Sequence, residues 1–139
     1  MWTSIDIETK QTKLGELPRN GSVREFLISE ELVPAGAKEI LVYATVLMGN
    51  QLYPQSDWHY KIYVEIDADK HEAAFYLYVH TDPNRDPKWN ALNSDNVWLP
   101  IPHDRKLRVK RLFLKPAVTP PADIDGPYFY SDVRVVAYR

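Results

Sequence analysis

Asp82, Asn84 and Asp86 alternate in the segment Asp82-Pro83-Asn84-Arg85-Asp86. Alternate oxygen donors in a tight loop can converge on a hard cation, and calcium accepts about six to eight of them. Asn93, Asp95 and Asn96 follow closely, and Asp123 and Asp125 ahead of Gly126 form a weaker version. The loop departs from the EF-hand pattern. Pro87 stands where glycine should follow the third ligand, and the closing Glu is missing. The same residue types also build Asx-turns with no ion present. Calcium at Asp82, Asn84 and Asp86 is therefore an optional occupant, and no cofactor is required.

A second kind of chemistry lies in Trp58-His59-Tyr60 and in Asp86-Pro87-Lys88-Trp89-Asn90. Sugar rings present apolar C–H faces that stack on flat aromatic rings, and their hydroxyls hydrogen-bond to Asp, Asn and His. Ligand sites combine aromatic walls with a few placed polar groups in this way. Trp58, Tyr60 and Trp89, read as lying in or beside loops, are the expected stacking residues, with His59, Asp86 and Asn90 as polar contacts. Large aromatics also anchor sandwich cores, and Trp98 is assigned to the core for that reason.

Catalysis has little to build on. There is no G-x-S-x-G, no H-E-x-x-H and no glycine-rich phosphate loop. The four histidines are scattered. His80, Asp82 and His103 are the set a metal-dependent enzyme would use if they converged. The segment from Arg105 to Lys115 holds six of the seventeen cations. It reads as the solvated face of a strand, where lysine also blunts an edge, and no nucleic-acid partner is expected from it.

The elements that must position these residues show a period of two. Ile62, Val64 and Ile66 alternate with Lys61, Tyr63 and Glu65, and Phe75, Leu77 and Val79 alternate with Tyr76 and Tyr78. Residues two apart share a face of a strand. The polar Ala68-Asp69-Lys70-His71 between the two segments predicts a β-hairpin. One face of it is aliphatic and the other rich in tyrosine, with Tyr43 expected alongside. A tyrosine-covered sheet face calls for a second layer, a flat ligand or another subunit, which makes a homo-oligomer an expected partner state.

Further strands are expected at Ser4–Thr9, Val23–Ser29, Glu39–Met48, Asn96–Pro100, Lys106–Leu114 and Asp132–Arg139. Glu39–Met48 is expected to be buried on both faces. The parity of Leu107 and Val109 against Leu112 and Leu114 suggests a β-bulge near Lys110 and Arg111. Ser29 can cap at most one helical turn before Pro34 and Gly36. The proline clusters fall between strands, where no ladder donor is needed.

About eight short strands with no long helix predict an all-β fold. The expected form is an antiparallel β-sandwich of jelly-roll or Greek-key type, with a closed barrel as the alternative. The chain of 139 residues fits a single domain over 1–139. No cysteine is present, which excludes disulfides, thiolate metal sites and a thiol nucleophile. The net charge of −2 provides no broad field toward nucleic acid or anionic membrane. No apolar run is long enough for membrane insertion as a helix, and the opening residues do not form a signal peptide. A soluble chain is expected, and an extracellular setting would require a leader already removed.

The general layout resembles compact β-sandwich modules such as lectins, carbohydrate-binding modules and the jelly-roll heads of trimeric secreted proteins. That likeness is one of architecture, and it assigns no site. The leading expectation is a non-catalytic recognition module with a glycan or protein ligand, glycan first. A homo-oligomeric assembly domain and a metal-dependent enzyme are the alternatives.

Overall fold

The computed structural model describes residues 1–6, 12–18, 21–49, 57–80, 90–113 and 129–139. They form nine strands: β1 (Thr3–Ser4), β2 (Lys13–Gly15), β3 (Val23–Leu27), β4 (Glu39–Gly49), β5 (Asp57–Glu65), β6 (Glu72–His80), β7 (Asn90–Pro100), β8 (Lys106–Phe113) and β9 (Phe129–Tyr138). No helix among the described residues is long and apolar enough to cross a membrane.

The strands make two antiparallel sheets. One has the order β1-β9-β4-β7, with β2 also on β9, and the other has the order β3-β8-β5-β6. The pairing is nested. β5 pairs β6, β4 pairs β7, β3 pairs β8 and β2 pairs β9, each pair enclosing the one before in chain order. This is an all-β sandwich.

The two inner faces form one core. Ile40, Val42, Ala44 and Val46 of β4 and Val133 and Val135 of β9 meet Tyr60, Ile62 and Val64 of β5 and Leu107 and Val109 of β8, all fully buried. Each is every second residue of its strand, as the alternation requires. At about 25 cal/mol per Å² of apolar surface removed from water, such burial dominates stability in a chain without disulfides. The alternate positions of β4, from Leu41 to Leu47, are half-covered. One face of β4 is therefore buried, not both, because its outer side carries no second layer among the described residues.

The sandwich closes at both sides. Asn93 of β7 donates its side-chain N–H to the carbonyl of Tyr78 on β6, 2.7 Å away. On the other side Gly15 of β2 lies against Phe26 of β3, where an added Cβ would stand 2.5 Å from a ring carbon. Only a residue without a side chain permits that approach.

Several expected boundaries shift. β7 begins at Asn90, not Asn96, because it pairs β4 from Gly49 back to Glu39. Its polar first half carries little hydrophobic signal but completes the ladder. β2 was not expected at all, since three residues carry no period. Ser29 does open a single turn, with Val33 N–H donating to its carbonyl at 3.0 Å. The bulge expected near Lys110 is absent, because β5 and β8 pair without a shift from Trp58↔Phe113 to Tyr63↔Arg108. Arg111 instead takes an inward position opposite Tyr60, only 3% exposed. A buried arginine where an aliphatic residue was awaited imitated the parity slip. Register shifts lie elsewhere, in the β4–β9 pairing between Leu41 and Val42 and in the β2–β9 pairing between Lys13 and Gly15.

Candidate functional site

Antiparallel pairing lays the outer face of the β3-β8-β5-β6 sheet out as rows. Leu112, His59 and Tyr78 form one row. Val23, Lys110, Lys61 and Tyr76 form the next, and Glu25, Arg108, Tyr63 and Ala74 the third. Inner-face burial of Tyr60, Ile62 and Leu77 forces the alternate residues outward.

Tyr76 and Tyr78 are 54% and 43% exposed, and the rings stand on neighbouring outward positions of β6. His59 meets Tyr76 edge-on, with ring centroids 5.2 Å apart and planes at 61°. Tyr63 is covered, because the Lys61 ammonium lies 4.4 Å above its ring centre and continues to the Glu72 carboxylate. The hydrogen bond that the Lys61 ammonium donates to Glu72 holds its pKa above the usual lysine range, against the opposing effect of partial burial. Burial, reinforced by Glu72, raises the Tyr63 phenol.

The lower half of the face is an ion-pair network centred on Arg108. Its Nη2 donates to Asp104 at 2.9 Å and its Nε to Glu25 at 3.2 Å, with Glu65 at 3.8 Å. Partial burial works against the Asp104 charge, yet the Arg108 hydrogen bond and the Lys106 backbone N–H prevail and lower its pKa.

The expected site residues separate. His59 joins Tyr76 and Tyr78. Tyr60, expected beside a loop, lies mid-strand with 0% exposure and leaves the set of ligand contacts. Period two explains this, since adjacent residues of a strand cannot share a face. Trp58 lies within β5, its backbone paired with Val79 and Phe113, and Asn90 opens β7 opposite Gly49. Asp82, Asn84, Asp86 and Trp89, and with them the calcium loop, lie outside the described residues. Tyr43 belongs to the other sheet and does not extend this face.

Trp98 is not a core residue. It is half-buried on the outer side of β7, 6.2 Å from the Trp2 ring and 4.2 Å below the Arg139 guanidinium. The basic segment also dissolves as a unit. Arg111 is buried, Arg108 is neutralised by acids, and Arg105 turns its guanidinium to the carbonyls of Ile28, Ser29 and Val33. His80 ends β6 beside Asp57, whereas His103 precedes the start of β8 at the opposite end of the sheet. The intervening strand length is roughly 23 Å at about 3.3 Å per residue. His80 and His103 are therefore not brought together, and Asp82 lies outside the described residues.

Asp67, Asp69 and His71 in the β5–β6 turn hold their potential ligand atoms within 4.8 Å of one another, all exposed. Their contacts close the turn. Asp67 accepts the His71 backbone N–H at 3.1 Å and lies 2.6 Å from its Nδ1, and that side-chain bond lowers the Asp67 pKa. Lys70 beside them takes the left-handed conformation with φ of 60°. These are the features of an Asx-type turn.

No protein-family model matches the sequence, and no curated protein matches it.

Proposed function

We propose that this chain is a non-catalytic recognition module that binds saccharide on the outer face of the β3-β8-β5-β6 sheet, with no catalytic residues. The observation that carries this reading is the exposure of Tyr76 and Tyr78 on consecutive outward positions of β6, with His59 against Tyr76. Flat exposed rings beside imidazole and ammonium donors match the two halves of a sugar, its C–H face and its hydroxyls. We read the nested strand pairing as a jelly roll, an architecture that hosts lectin domains among many others.

Trp58, Trp89, Asp86 and Asn90 extend the same proposal. The 81–89 segment leaves β6 at His80, two residues beyond Tyr78. A calcium ion on Asp82, Asn84 and Asp86 is the optional cofactor of this proposal.

Glycan-array screening followed by titration calorimetry, with and without chelator, tests the proposal. Binding that is lost in Tyr76→Ala and in Tyr78→Ala is the expected result. No saccharide signal, or binding unchanged in both variants, would sink it. Loss of binding in chelator supports the calcium part alone.

A second reading has its own observation. Val23 and Leu27 at the β3 edge are exposed, so apolar surface occurs at both margins of this sheet. A second copy of the chain covering the face would make an assembly domain with closed symmetry. Light scattering that gives a strict monomer at high micromolar concentration removes that reading.

A further inference from the structure

The charges of the tyrosine face are sorted along the strands. Among the side chains described on this face, the carboxylates Glu25, Glu65, Glu72 and Asp104 are each engaged by Arg108 or Lys61 and lie toward one end. The aromatic end holds Lys110 and His59. Lys110 stands opposite Lys61 in register. Like charges placed directly opposite repel, and Lys61 turns away over Tyr63 to Glu72. Among the described residues the Lys110 ammonium is left with no acid and no hydrogen-bond acceptor. Among the described residues it is the one cation of this face whose charge is not already used.

We infer that the saccharide bound here is acidic, with a carboxylate or sulfate meeting Lys110 while its rings lie on Tyr76 and Tyr78. This deepens the saccharide reading above and rests on it. Lys110 and Tyr76 share a row two strands apart, roughly 10 Å at about 4.8 Å per strand. A disaccharide unit covers that span. An anionic group beside Lys110 also relieves the Lys61–Lys110 repulsion, so the charge contributes beyond a single contact. A long phosphate backbone crossing the sheet would run over the four carboxylates at the far end, which disfavours nucleic acid.

The test titrates the intact chain with length-matched neutral, uronate and sulfated oligosaccharides, and with a single-stranded oligonucleotide. The expected result is about tenfold tighter binding of at least one acidic arm than of the neutral one, in line with a charge-assisted hydrogen bond. That preference should shrink with added salt. The arm that responds distinguishes carboxylate from sulfate. Lys110→Gln should bring the acidic arm down to the neutral level, Lys110→Arg should keep the preference, and Tyr76→Ala should weaken every arm. Equal affinity for neutral and acidic sugars, unchanged in Lys110→Gln, overturns the acidic assignment and leaves saccharide binding standing. No binding in any arm overturns both. Oligonucleotide binding as tight as the best acidic sugar overturns the assignment in favour of nucleic acid. Far-UV circular dichroism and melting of each variant separate lost binding from lost fold.

Discussion

Arg105 donates a hydrogen bond from Nη2 to the carbonyl of Val33, 2.6 Å away across 72 residues of chain. The same guanidinium reaches the carbonyls of Ile28 and Ser29. One side chain thus satisfies the turn that leads from β3 toward β4, and it does so from a left-handed residue with φ of 54°. The backbone strain is offset by three acceptors that no smaller residue could serve together. Arg105→Met should lower unfolding stability by about 2–3 kcal/mol, the range for losing hydrogen bonds to a charged donor. Arg105→Lys should recover only part, because a point ammonium cannot span the fork. Urea denaturation measures both.

Gly15 and Phe26 set the spacing of the closed side of the sandwich. Gly15→Ala places a Cβ 2.5 Å from the Phe26 ring, which is packed in the core. Overpacking of this kind costs about 1–3 kcal/mol. The double variant Gly15→Ala with Phe26→Leu should be less destabilised than the sum of its parts. A double-mutant cycle by thermal melting reads the coupling.

Asp104 and Lys61 give stability a pH dependence of opposite sign. The Asp104 pKa is lowered in the fold, so its contribution is complete above the ordinary aspartate range near about 4 and is lost as pH falls through the folded value. Lys61 is raised, so its contribution is present below about 10.4 and is lost as pH rises through the folded value. Asp104→Asn should shallow the acid limb, to which Asp67 also contributes, and Lys61→Met the alkaline limb, to which Tyr63 also contributes. Stability measured from pH 2 to 11 checks the assignment.

Tyr60 and Tyr76 should behave oppositely when truncated. Tyr60 is fully buried and Tyr76 more than half exposed. Tyr60→Ala is expected to cost about 3–5 kcal/mol, as for large aromatic residues in cores. It should leave saccharide affinity per folded molecule unchanged. Tyr76→Ala should stay within about 0.5 kcal/mol of the parent stability and lose saccharide binding. Paired melting and calorimetry on both variants decide it.

The sequence by itself determined the strands that alternate, the β5–β6 hairpin and the outward placement of Tyr76 and Tyr78. Those features are local, since a period of two and a polar turn are written within a few residues. It also suggested His59, but grouped it with Trp58 and Tyr60, its neighbours in the chain. Only pairing with β6 and β8 showed that His59 faces Tyr78 while Tyr60 faces the core. The Arg111 inward position, the Arg105 anchor and the charge of Lys110, unpaired among the described residues, were likewise illegible. Cations clustered in one segment look alike until the fold sorts them, and acceptors such as Val33 for Arg105 and Glu25 for Arg108 lie tens of residues away. Tertiary structure decided these matters because cross-strand register, not sequence order, sets which side chains share a face, a charge or a cavity.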